Sequence, residues 1–185
     1  PTRCLPDWRV LNLVCPGGET GALGGRIAYR LRPQIMENVS HIIGLHPGAI
    51  HRFNLPQIRA ELKNPETIRM AEAFGAPIII NASLREGSLR AYADSQDIPV
   101  VTFDGGEALR FDDVVISSGV KGVIRVMREL EMIPAKKGPK APRKRSEPAA
   151  NSQWVRTDTE GTTRPVASLG RKDRKVPQRA RGAEP

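Results

Sequence analysis

Three short apolar runs, Ile42–Leu45, 77–80 and 99–103, each bounded by glycine, proline or polar residues, decide most of what this chain can fold into. An apolar run without alternation suits a strand covered on both faces, because a half-exposed strand would place a polar residue at every second position. Between these runs the apolar residues recur every three or four positions, which is the period of a helix.

Leu23, Ile27, Leu31, Ile35 and Met36 form one such stripe, with Thr20 as the expected cap and Pro33 as an expected kink or break. Asn64 and Pro65 suit the cap and first position of a helix carrying Ile68, Met70, Ala71 and Phe74 to a stop at Gly75. Ser88 opens another helix over 89–95, and Asp112 precedes a long stripe from Val115 to Leu130. Residues 8–15 read as a short strand or extended segment, and 55–62 as a short helical or turn segment. The expected fold class is therefore α/β, a mainly parallel or mixed central sheet with helices on both faces.

Charge enters through its distribution. The net +9 of the 185 residues sits wholly in the tail: residues 1–134 hold 15 basic and 15 acidic side chains, residues 135–185 hold 14 and 5. A basic tail rich in proline and alanine is a solvated linker more simply than a phosphate-tracking surface, which argues against nucleic acid as the partner. Cys4 and Cys15 make neither a disulfide framework nor a CxxC site, and no run approaches the roughly 20 apolar residues a bilayer span needs. These features lead to the expectation of a cytoplasmic protein with no membrane partner. Oligomeric state is not legible.

All three histidines lie in residues 40–62. His46 falls at the carboxyl end of the first apolar run, where open α/β sheets place their sites. His41 and His46 are five residues apart and so point to opposite faces of a regular strand. One strand-end histidine fits a hydrogen-bonded structural role as well as a metal ligand.

The segment Leu45, His46, Ala49, Ile50, His51, Arg52, Asn54, Leu55, Pro56, Gln57, Ile58, Arg59, Ala60 resembles the Leu-His segment of the succinylglutamate desuccinylase/aspartoacylase family, zinc-dependent amidohydrolases with a carboxypeptidase-like fold. The stretch Thr102–Asp112, containing Asp104-Gly105-Gly106-Glu107, resembles the family's general-base loop, and Asn12-Leu13 followed by Pro16-Gly17 resembles its substrate-binding loop. The resemblance implies hydrolysis of a small N-acyl amino acid or related carboxylate-bearing amide. It makes His46 a zinc ligand, puts Asp104 at the general-base position with Glu107 as the alternative, and gives Asn12, Arg90 and Arg52 to the substrate.

Four departures accompany it. Gly44 stands where the family has aspartate, Leu13 where it has arginine, and Asp104 where it has glutamate. The His-Gly-x-Glu pair that supplies two of the three zinc ligands has no counterpart in residues 1–39. The expected organisation is a partial catalytic domain over 1–134, a basic linker over 135–150, and the remnant of a C-terminal β-domain over 151–185, expected to be a disordered basic tail, with the chain truncated or out of frame at both ends. Two other readings follow from these observations: a catalytically inactive family member or gene fragment, and a nucleic-acid binder acting through its basic tail.

Overall fold

The computed structural model describes residues 4–36 and 38–135, together with the backbone of three short strands at 147–149, 152–154 and 165–167. Its elements run in the order α1 (Leu23–Met36), β1 (Ile42–Gly48), β2 (Asn54–Ala60), α2 (Pro65–Phe74), β3 (Ile78–Asn81), α3 (Leu89–Asp94), β4 (Val100–Glu107), α4 (Asp113–Glu129) and β5 (Glu147–Ala149). The five strands make one mixed sheet in the order β1-β4-β2-β3-β5. β1 and β4 are parallel, as are β2 and β3, while β2 meets β4 antiparallel. A separate antiparallel pair joins 152–154 to 165–167. The rest of the expected linker and of the β-domain remnant lies outside the described residues.

One face of the sheet carries the main core. Ile58, Ala60, Val101, Phe103 and Ile79 pack there against Met70, Ala71 and Phe74 of α2 and Val126 of α4. Phe74 stacks on Phe103 with ring centroids 5.0 Å apart. Gly122 makes this contact possible, because a Cβ at that position would lie 2.2 Å from the Phe74 ring. The opposite face is covered by a smaller cluster in which Met36 and Ala93 pack with Ile42 and Val100. Helices thus lie on both faces, as the apolar strands require.

Local signals hold at three helix starts. Asn64 Oδ1 accepts from the backbone N–H of Glu66 at 2.8 Å, and Gly75 ends α2 in the left-handed region at φ 71°. Ser88 Oγ accepts from Ala91 N at 3.1 Å, and Asp112 Oδ1 from Val115 N at 3.0 Å.

Three expectations are corrected. The start of α1 is held by Asp7 rather than Thr20: Asp7 Oδ2 accepts from Gly24 N at 2.6 Å across 17 residues. Residues 8–15 form no strand but a 3₁₀ turn at Leu11–Leu13, and Cys15 N donates to Gly87 O at 2.9 Å. Residues 55–62, expected as helix or turn, instead carry most of β2, because Ile58 and Ala60 alternate into the core while Arg59 points to the other face. Pro33 leaves α1 unbroken to Met36, since it sits in the last turn, where only one hydrogen bond is lost.

Candidate functional site

The face of the sheet away from the main core floors a cavity of about 430 Å³. Strand alternation selects its floor: Ile42, Gly44 and His46 from β1, Val100 and Thr102 from β4, and Arg59 from β2. The register aligns Gly44 with Thr102, His46 with Asp104 and Arg59 with Thr102. Val10, Asn12 and Leu13 of the N-terminal segment line it, as do Ser83, Arg85 and Ser88 of the β3–α3 connection and Arg90 of α3.

At the carboxyl end of β1 and β4, three side chains form a chain. Arg59 Nη2 donates to Asp104 Oδ1 at 2.9 Å, and Arg59 Nε donates to Asp104 Oδ2 through a short contact. Asp104 Oδ1 lies 3.9 Å from His46 Nδ1, too long for a direct hydrogen bond. Asp104 is buried, whereas the side chains of His46 and Arg59 keep over a third of their surface in solvent. Both oxygens of Asp104 are thus engaged by one guanidinium, in the two-pronged geometry that suits an arginine–carboxylate pair.

Arg90 is a second part-buried cation in the lining. Its Nη2 donates to the Ala82 carbonyl at 2.7 Å, and its buried Nε–H has no hydrogen-bond partner among the described residues. Burial, reinforced by the positive charge of Arg59, pushes its pKa below the usual arginine range. An anion in the cavity beside the guanidinium would offset its desolvation.

Of the residues singled out in the sequence, His46, Asn12 and Arg90 line the cavity together. Asp104 stands behind Arg59. Glu107 is turned to the loop: its Oε1 accepts from His51 N at 2.8 Å and its Oε2 lies 3.3 Å from Arg110 Nε. Arg52 is exposed and is not part of the lining. Arg59 and Arg85 were not picked out as site residues. Arg59 became visible only once 54–60 was known to be a strand, and Arg85 carried no local signal.

The zinc ion implied by the resemblance needs three protein ligands. Among the described residues no three His, Cys, Asp or Glu side chains come together to hold a metal ion. His46 is the one such donor in the cavity lining, and the nearby Asp104 is engaged by Arg59. The described residues do not fit the ion.

Comparison with known proteins places the fold. No family model and no curated protein matches the sequence. Solved structures do match. One is a succinylglutamate desuccinylase/aspartoacylase from Rhodobacter sphaeroides, at a TM-score of 0.64 and 20% identity, covering 88% of this chain and 46% of that one. Another is the product-bound ectoine utilization protein EutE (DoeB) from Ruegeria pomeroyi, at 0.66 and 18%, covering 76% and 45%. An aspartoacylase family protein from Mesorhizobium loti matches at 0.58 and 19%, covering 70% and 41%. The α/β fold is that of these solved structures, and the chain spans a little under half of the length of the first two. Among the described residues no helix is long and apolar enough to cross a membrane.

Proposed function

We propose that the cavity beneath the carboxyl ends of β1 and β4 is the substrate site of an amide hydrolase acting on a small N-acyl amino acid or related carboxylate-bearing amide. The observation that carries this reading is Arg90: a part-buried guanidinium whose buried Nε–H has no partner among the described residues, lining the same cavity as His46 and Asn12. A guanidinium there binds a carboxylate through charge-assisted hydrogen bonds, and Asn12 offers both a donor and an acceptor to the amide. The fold shared with desuccinylase and aspartoacylase structures supports the reaction class. Zinc belongs to this reading only as an ion that His46 would help to hold beside ligands other than the described residues.

Asp104 supports a second reading, ligand binding without turnover. Both of its oxygens are engaged by Arg59, and no carboxylate stands among the residues lining the cavity to act as a general base. The test is direct. The chain is incubated with a panel of N-acetyl amino acids, with and without added zinc, while release of the free amine is followed. Binding is followed in parallel by calorimetry. Amine release that is lost in Arg90→Leu supports the hydrolase; binding without release supports the second reading; no binding of any member overturns both.

A further inference from the structure

Away from the cavity, α1 has one covered face and one open face. Gly24, Ala28 and Met36 turn inward and are buried. On the outward side two i, i+4 ridges run side by side, Leu23, Ile27, Leu31 and Ile35 on one, Arg26 and Arg30 on the next. Leu23, Leu31 and Ile35 each keep more than a third of their surface in solvent. Between the ridges lies an open groove of about 260 Å³, and its lining comes from α1 alone: Leu23, Arg26, Ile27, Arg30 and Leu31.

The charge of this face has one sign. Residues Leu23–Met36 contain three arginines and no acidic residue, and neither Arg26 nor Arg30 forms an ion pair among the described residues. Arg32 instead sits over the Tyr29 ring, 4.8 Å from its centroid. At the amino end of the helix the turn Leu5–Arg9 is tied down by Asp7, whose Oδ2 accepts from Gly24 N, and this turn carries the exposed Trp8 next to Arg9. An apolar ridge, arginines with long apolar stems and an exposed indole are the groups that share a boundary between water and hydrocarbon.

We propose that the outward face of α1, with Trp8 at its amino end, docks on an anionic phospholipid surface, the Leu23–Ile35 ridge entering the acyl boundary and Arg26 and Arg30 meeting the phosphates. Charge complementarity selects the partner's sign, because arginines without counter-ions of their own gain most from an anionic surface. Shape selects lipid over an acidic protein helix: a partner helix seats in a groove between elements, whereas this ridge stands on a single helix and suits a flat, deformable surface. Residues 135–185, with 14 basic and 5 acidic side chains, add long-range attraction of the same sign. The expectation of no membrane partner rested on the lack of a spanning run, and a helix lying in the interface needs none.

Sedimentation of the full 185-residue chain with lipid vesicles tests this. Vesicles of phosphatidylcholine with about 30% phosphatidylserine should bind it about tenfold or more tightly than phosphatidylcholine alone. Attraction of the tail alone is screened away in about 0.5 M salt, whereas the apolar ridge is not, so measurable binding to the anionic vesicles should survive. Leu23→Ser with Leu31→Ser should remove that salt-resistant part, and Arg26→Gln with Arg30→Gln should weaken binding at low salt by about tenfold. All four side chains are exposed, so the variants leave the core untouched. Equal binding to both vesicles, binding to neither, or binding that both double variants leave unchanged overturns the inference. Complete loss in salt by the unsubstituted chain overturns it as well, since the tail would then be the whole of the contact.

Discussion

Arg59 lays two N–H groups on Asp104, with Nη2 to Oδ1 at 2.9 Å, and so joins two antiparallel strands across the sheet's cavity face. Removing the cation strands a buried carboxylate. Arg59→Leu should cost about 1–3 kcal/mol in urea unfolding. That is below the figure of about 3–5 for a fully buried pair, because the Arg59 side chain is 36% exposed. Replacing both residues by leucine should recover part of the loss. A single variant as stable as the parent would show that the pair contributes nothing.

The same pair shows where the sequence stopped being legible. The apolar runs at 78–80 and 100–103 declared themselves as strands because both faces are covered, whereas 42–45, expected to be buried, lies in the edge strand β1 with Leu45 59% exposed. β2 did not declare itself. Its core face carries Ile58 and Ala60, but Gln57 is buried too and Arg59 spends its charge on a residue 45 positions away, so alternation is hidden by polar side chains that are satisfied only in three dimensions. Asp7 is a second case: a helix cap 17 residues from its helix leaves no local pattern. His46, Asn12 and Arg90 were readable through a resemblance of motifs, whereas the loss of Asp104 to Arg59 depended on a contact no motif encodes.

At Gly122 two effects oppose each other. Alanine is favoured over glycine inside a helix by about 1 kcal/mol. Here its Cβ would meet the Phe74 ring at 2.2 Å, and Phe74 is fully buried and stacked on Phe103. The clash dominates, since neither ring has room to retreat. Gly122→Ala should destabilise by a net of about 1–3 kcal/mol in denaturant unfolding, the range of overpacked cores.

Metal affinity can be raised on the cavity floor. With His46 as the single such donor lining the cavity, the chain should bind zinc no more tightly than micromolar in chelator competition, given the three protein ligands of catalytic zinc sites. A Cβ at Gly44 would lie 3.8 Å from His46 Nε2 and 3.5 Å from Thr102 Oγ1, ordinary contacts that the strand can accept. Gly44→Asp therefore adds a carboxylate beside the imidazole and should tighten zinc by about tenfold. Adding His46→Ala should remove that gain; if the gain persists, the ion is held elsewhere.

Asp7 ties the N-terminal segment to α1 in a pH-dependent way. Its Oδ2 accepts from Gly24 N at 2.6 Å and its Oδ1 from Arg9 N at 3.1 Å. The bond from Gly24 is the main reason its pKa is held below the ordinary 3.8. Because the folded value is the lower one, the contribution to stability is complete above the unfolded pKa and is lost as pH falls through the folded value. Asp7→Asn keeps an acceptor for Gly24 but cannot titrate, so the contribution of this residue to the acid limb should vanish. Trp8, its neighbour and 81% exposed, reports on the segment by fluorescence. The parent chain should show a Trp8 transition below about pH 4 that the variant lacks. An identical acid profile in the two would mean that Asp7 is not the residue holding the start of α1.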